Sequence, residues 1–200
     1  MKRVLVLGAQ GHLGKEIVKQ LEKEKTIEQT CYDRELITYL PANGHNIQAD
    51  VCDPVALYKV TLHQDYIVCS LNGDWLKQAQ TLVEVLKDNT HVTLIWITGM
   101  GIHDEVKGRF AHVWRGYVRM YPEYIQAANC IMHSGIHYTL LRTADLVETT
   151  SHIPYCLHFD GEEARSQYVS ISNVAQFIVK MIIDENQTYV NKSIGITNAE

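Results

Sequence analysis

The stretch VLVLGAQGHLGKEIVKQL, residues 4–21, decides the fold. Four apolar residues run straight into Gly8, as a strand covered on both faces does. Gly11 and Gly14 follow at intervals of three, and Leu13, Ile17, Val18 and Leu21 then recur with helical spacing. Strand, glycine turn and amphipathic helix in that order make a unit that cradles phosphate. Gly8 takes the tight turn, Gly11 admits a pyrophosphate to the backbone, and Gly14 lets helix and strand pack closely. The helix N-terminus presents unpaired N–H groups and a partial positive charge to an anion. A glycine-rich connection that holds no ligand is the alternative reading of the same residues.

Beyond this unit, short β-branched and apolar runs alternate with helical patterns, the signature of βαβ units. Strands are expected at residues 3–7, 28–32, 46–48, 66–70, 92–97, 138–141 and 193–196. Asp53 before Pro54 reads as an N-cap with proline at the first helical position. Asp74 opens a further helix with Trp75, Ala79, Leu82, Val83 and Leu86 inward. Ser172 is expected to cap the last helix, which buries Val174, Phe177, Ile178, Met181 and Ile182. The pattern predicts a single-domain, doubly wound parallel α/β sheet of the Rossmann type over residues 1–200. Residues 99–115 and 148–167 are the least regular; both follow the C-terminal end of an expected strand, where open α/β sheets bind ligands.

Composition narrows the function. The 200 residues are 46% hydrophobic and 20% charged, enough for one domain with a sizeable core. A formal net charge of −5 argues against a nucleic-acid surface. No apolar run approaches a membrane span, so no membrane partner is expected. The opening MKRVLVLGAQ is too short for a secretory core and enters a turn without a cleavage site. Five single cysteines with no C-x-x-C fit reduced thiols in the cytoplasm. No metal site is expected: His133 and His137 are separated by Ser134–Gly135, which ends a helix, and His103, Asp104 and Glu105 point apart in any regular element.

The second strand carries the ribose discriminator. Asp33 lies 19 residues after Gly14, and its carboxylate suits ribose hydroxyls while repelling a 2′-phosphate. Arg34, next in the chain, attracts that phosphate. Both a solvated loop charge and a cofactor contact remain open for each. The balance leans to NADP over NAD, because a bidentate guanidinium outweighs a carboxylate that turns aside.

Four segments together resemble the atypical short-chain dehydrogenase/reductases, in particular the small bacterial NmrA-like NAD(P)-binding proteins: GAQGHLG, IWITGMGIHDEVKGRF, YIQAANCIMHSGIHYTLLRTADL and YVSISNVAQFIVKMI. The resemblance implies that Gly8, Gln10, Gly11, His12 and Leu13 line the pyrophosphate and that Asp33 and Arg34 face the adenosine ribose. It places Asp50 and Val51 beside the adenine, Cys69, Ser70 and Leu71 beneath the cofactor, and Thr98 and Gly99 near the nicotinamide.

The sequence departs from that family where its chemistry is done. The standard mechanism needs Tyr-x-x-x-Lys, the lysine lowering the tyrosine pKa so that the phenol exchanges a proton with the substrate. Here Tyr117, Tyr121 and Tyr124 are followed at that spacing by Tyr121, Ile125 and Ala128. Gln126 is the nearest equivalent of a lysine that close relatives carry, and Arg142 is followed by Thr143 where they have proline. Two functions follow. One is an NAD(P)-dependent oxidoreductase on a small carbonyl or quinone-like substrate, with Thr98 and Tyr124 as the polar groups near the nicotinamide. The other is a non-catalytic, NmrA-like dinucleotide sensor that acts on a protein partner. The three tyrosines fit either a pocket wall or a packed core.

Overall fold

The computed structural model describes residues 1–107, 111–149, 153–160, 162–164, 166–184 and 187–199. The expected first strand forms as β1 (Lys2–Leu7), followed by α1 (His12–Glu22), β2 (Ile27–Asp33) and β3 (Gly44–Gln48). The chain continues through α2 (Pro54–Thr61), β4 (Tyr66–Cys69), α3 (Trp75–Leu86) and β5 (Thr93–Gly99). Next come α4 (Ala111–Met120), α5 (Glu123–Met132) and β6 (His137–Thr143), then three short strands, β7 (Asp145–Val147), β8 (Tyr155–His158) and β9 (Tyr168–Ser170). Helix α6 (Ile171–Ile183) and β10 (Lys192–Asn198) complete the fold.

One eight-stranded sheet has the order β3-β2-β1-β4-β5-β6-β10-β8, parallel throughout except that β8 runs antiparallel to β10. This is the doubly wound Rossmann arrangement. Alternation along the strands splits the core in two. Val4, Val6, Cys31, Val68 and Ile95 face α1 and α6, whereas Leu5, Leu7, Tyr32, Ile67 and Trp96 face α2, α3 and α5. Strands buried on both faces read as continuous apolar runs, which is why β1 and β5 are plain in the sequence.

The caps hold in two cases of three. Asp53 accepts from the Val55 and Ala56 N–H groups, and Asp74 accepts from Lys77 N–H. Ser172 does not cap α6. The helix begins at Ile171, immediately after β9, so Ser170 occupies the N-cap and Ser172 already lies inside the first turn. There the Ser172 hydroxyl receives Gln176 Nε2 at 3.3 Å. The expected inner face of α6 is buried in full.

The sheet also holds more strands than the seven expected. β8 lies within the irregular stretch 148–167, and β7 pairs with β9 as a separate two-stranded parallel ribbon. Three or four residues are too few to show a period of two, so pairing with distant partners decides these strands. The other irregular stretch resolves into α4 from Ala111 onward.

Candidate functional site

β1 pairs with β2 on one side and β4 on the other, so the chain leaves the sheet in opposite directions at their C-terminal ends. The glycine turn sits in that crevice. Gly8 has φ +80°, and a Cβ there would come within 2.1 Å of Ser70 O. A Cβ on Gly14 would come within 2.0 Å of Gly8 O, so only glycine lets α1 rest on the end of β1. Gly11 differs: its φ of −64° suits any residue, and its Cβ direction meets only Gly8 O, at 3.3 Å. It is the N-cap of α1 and offers no side-chain cap, which leaves the helix N-terminus open to a ligand.

Two cavities open from this turn and share Gln10, Gly11, Ser70, Leu71 and Asn72 as a common floor. The first, about 320 Å³, lies over β2 and β4, with Asp33, Arg34, Asp50, Val51, Cys52 and Lys77 around it. Its parts are tightly held. Asp33 Oδ2 accepts Gln10 N–H at 2.9 Å, and Oδ1 accepts Glu35 N–H at 3.0 Å. Asp50 Oδ1 accepts Cys52 N–H at 2.8 Å, and its carbonyl takes the Tyr32 hydroxyl at 2.9 Å. Burial, reinforced by Asp53 and Asp50, pushes the Tyr32 phenol up to about 12, so it stays a donor. The Gln10 side chain is tied to Thr38, which joins the turn to the segment after β2.

The second cavity, about 710 Å³, runs from His12 and Leu13 past Thr98 and Gly99 to Tyr124. Its far wall is aromatic, from Trp114 and Tyr117, and its lower edge is Thr143–Leu146 with Ile171. Trp75, at the start of α3, lies 4.1 Å from the Tyr124 ring, and Tyr117 stands edge-on to Tyr124 at 5.5 Å between centroids. Thr98 is buried, and its carbonyl accepts the Thr143 hydroxyl at 3.3 Å.

The expected site residues thus converge, with two exceptions. Cys69 does not line either cavity; it is the last residue of β4, turned into the core, and burial holds its thiol well above the ordinary range. Gln126 is exposed and lines neither cavity. Two positions along a helix is about 200° of rotation, so it faces away from Tyr124. Tyr117 and Tyr124 form a pocket wall, with Tyr117 exposed and Tyr124 half-buried, whereas the exposed Tyr121 lines neither cavity and packs on Trp75 and Tyr117. Burial and the Tyr117 hydroxyl, 3.5 Å away, drive the Tyr124 phenol above its ordinary pKa. No lysine or arginine lines its cavity among the described residues. Arg142 cannot serve, because its buried guanidinium holds Glu105 at 2.5 Å and reaches Asp160 at 3.4 Å. Sequence reasoning missed Asn72, Lys77, Trp114 and Asp145, which come from a loop, two helix starts and the start of β7 that only the topology brings together. The one signal for them was position, just after an expected strand.

The donors fit a dinucleotide. The cradle at Gly8 and Gly14 would be filled by any side chain, an open helix N-terminus lies at the junction, and cavities extend to either side for two nucleoside halves.

Comparison with known proteins agrees. Residues 8–185 match the NAD(P)H-binding family. No curated protein matches the sequence. Among solved structures, a Rossmann-fold NAD(P)-binding family protein from Shigella flexneri is 29% identical, with a TM-score of 0.81 over 100% of this chain and 97% of that one. A short-chain dehydrogenase/reductase from Veillonella parvula, solved in complex with NADP, is 20% identical with a TM-score of 0.85, covering 98% and 94%. An oxidoreductase from Lactococcus lactis is 17% identical with a TM-score of 0.81, covering 99% and 91%. The last two likenesses are of fold. No described helix is long and apolar enough to cross a membrane. With its glycine turn, its sheet order and the match over residues 8–185, the chain belongs to the NAD(P)H-binding family.

Proposed function

We propose that this chain is an NADP-dependent oxidoreductase of the NmrA-like kind, acting in the cytoplasm on a small carbonyl or quinone-like acceptor. The observation that carries the reading is the pair of cavities joined at Gly11. The first holds the adenosine half, with Asp50 and Val51 beside the base. Gly8, Gln10, Gly11, His12 and Leu13 take the pyrophosphate, and Ser70 and Leu71 support it from below. The second holds the nicotinamide against Thr98 and Gly99, leaving the Trp114–Tyr117–Tyr124 end for the acceptor. The bound nicotinamide supplies hydride; the chain's own residues orient it and exclude water.

The choice of NADP rests on Asp33. Both of its oxygens accept backbone N–H groups, so it serves as a clamp between the glycine turn and the segment after β2. Arg34 is exposed beside the same cavity and forms no ion pair among the described residues. It is the group left to take a 2′-phosphate. Veillonella parvula's enzyme, bound to NADP, is an instance of the same fold accepting that cofactor.

Tyr124 is a hydrogen-bonding wall in this reading and no phenolate. The same feature, a phenol with no lysine or arginine among the described residues that line its cavity, favours the second function, a dinucleotide sensor that docks on a protein without turnover. NADPH binding followed by absorbance at the nicotinamide band across carbonyls and quinones separates the two. Oxidation of NADPH by any acceptor in the panel supports the enzyme, and tight binding with no oxidation supports the sensor.

A further inference from the structure

The larger cavity carries a charge pattern that a neutral dihydronicotinamide does not require. Asp145 is the one carboxylate among its described lining residues, and neither lysine nor arginine lines it. Trp114, Tyr117 and Tyr124 supply the aromatic wall. Two of the rings converge on one point: a Cβ at Gly99 would stand 3.6 Å from Trp114 and 3.7 Å from Tyr124. Asp145 is fixed in place by the β7–β9 ribbon, its N–H donating to Gln167 O at 2.9 Å. Its carboxylate receives a hydrogen bond from Gln167 but forms no ion pair among the described residues. Partial burial holds its pKa above the ordinary value, with the Gln167 hydrogen bond acting the other way.

A ring face attracts a cation through its quadrupole, and an exposed carboxylate on the cavity wall attracts the same charge and repels anions. The missing proton relay points the same way. A carbonyl that gains hydride must also gain a proton, and no lysine or arginine among the described lining residues helps Tyr124 to give one. A C=N⁺ group, the nitrogen counterpart of a carbonyl, needs no proton.

We propose that this cavity binds a small organic cation between Asp145 and the Trp114–Tyr117–Tyr124 wall, and that the acceptor is a conjugated iminium ion. The redox step rests on the dinucleotide reading; the binding step stands without it. In the redox step a C–H bond of the dihydronicotinamide breaks and its hydride bonds to the iminium carbon. The C=N π pair withdraws onto nitrogen, giving a neutral amine and oxidised nicotinamide, with no proton taken up or released.

The test is calorimetric titration of the full chain with 2-methyl-3,4-dihydroisoquinolinium and with 1-tetralone, a neutral ketone of similar size. Both are titrated into wild type and Asp145→Asn, and NADPH is titrated separately into the same two proteins. The iminium is expected to bind wild type at least tenfold more tightly than the ketone. Asp145→Asn should remove that advantage, leaving ketone and NADPH affinities within twofold. Equal or tighter binding of the ketone, no iminium binding, or iminium binding unchanged in Asp145→Asn overturns the proposal. NADPH that fails to bind, with iminium binding still dependent on Asp145, sinks the dinucleotide reading and leaves the cation site standing.

Discussion

The two cavities flanking Gly11 are built on different plans. The smaller one is framed by backbone-directed hydrogen bonds: the turn is tied to the end of β2 by Gln10 and Asp33, Asp50 bonds to Cys52 two positions away, and the segment after β4 closes the other side. Asp33 and Asp50 are committed to backbone N–H groups, which stiffens its shape. The larger one takes its walls from α4, α5, β5 and the segment after β6, and meets them through ring contacts with few hydrogen bonds. A cofactor common to a whole family suits the first plan. A substrate particular to one member suits the second, because its wall changes without disturbing the turn.

The sharpest way to break this contrast is to attack the shared turn. Gly14→Ala places a Cβ 2.0 Å from Gly8 O, backbone against backbone. Overpacking of that kind costs about 3 kcal/mol. Thermal unfolding should therefore start roughly 6–12 °C lower in a chain of this size. An unchanged melting temperature would show that α1 does not depend on that close approach.

Gly11→Val comes next. The backbone there tolerates valine, and the new side chain points toward the junction of the cavities, so the fold is expected to survive. NADPH affinity should drop at least tenfold, about 1.4 kcal/mol. A folded variant with wild-type affinity would separate the turn from the cofactor.

These two glycines show what the sequence reveals and what it hides. Gly8, Gly14, the Asp53 and Asp74 caps and the buried face of α6 are local, and each was readable from residues within one or two turns. So was the crevice, since its place follows from strand order. The clamp role of Asp33 was not readable, because a carboxylate 19 residues past the turn suits a ribose as well as it suits Gln10 N–H. Trp114 and Asp145 were hidden for another reason: they meet only after the sheet brings β5 and β6 side by side. The ribbon β7–β9 and the start of α6 at Ile171 depend on the same long-range pairing.

Arg34→Ala sharpens the account of the smaller cavity. It should weaken NADPH about five- to tenfold, the loss expected of one exposed charge-assisted contact, and leave NADH nearly unchanged. Equal losses for both cofactors would return the choice to Asp33.

The smallest effect belongs to the larger cavity. For whichever acceptor is reduced, Tyr124→Phe should change the rate by less than tenfold, about 1.4 kcal/mol in barrier. Burial and the Tyr117 hydroxyl raise the Tyr124 pKa, so the phenol is neutral throughout the neutral range and up to at least about pH 10. The rate should show no Tyr124 inflection below that pH. A loss of several hundredfold, or an inflection near neutrality that the phenylalanine variant abolishes, would make Tyr124 an acid–base group after all.

The central claim is that one dinucleotide lies across both cavities by way of the Gly8–Gly14 turn, with its 2′-phosphate on Arg34. Titration of wild type with NADPH and with NADH, followed by nicotinamide fluorescence, tests it most directly. Saturable binding of both is expected at one site per chain, NADPH being the tighter. No saturable binding of either, or a clear preference for NADH, would contradict it.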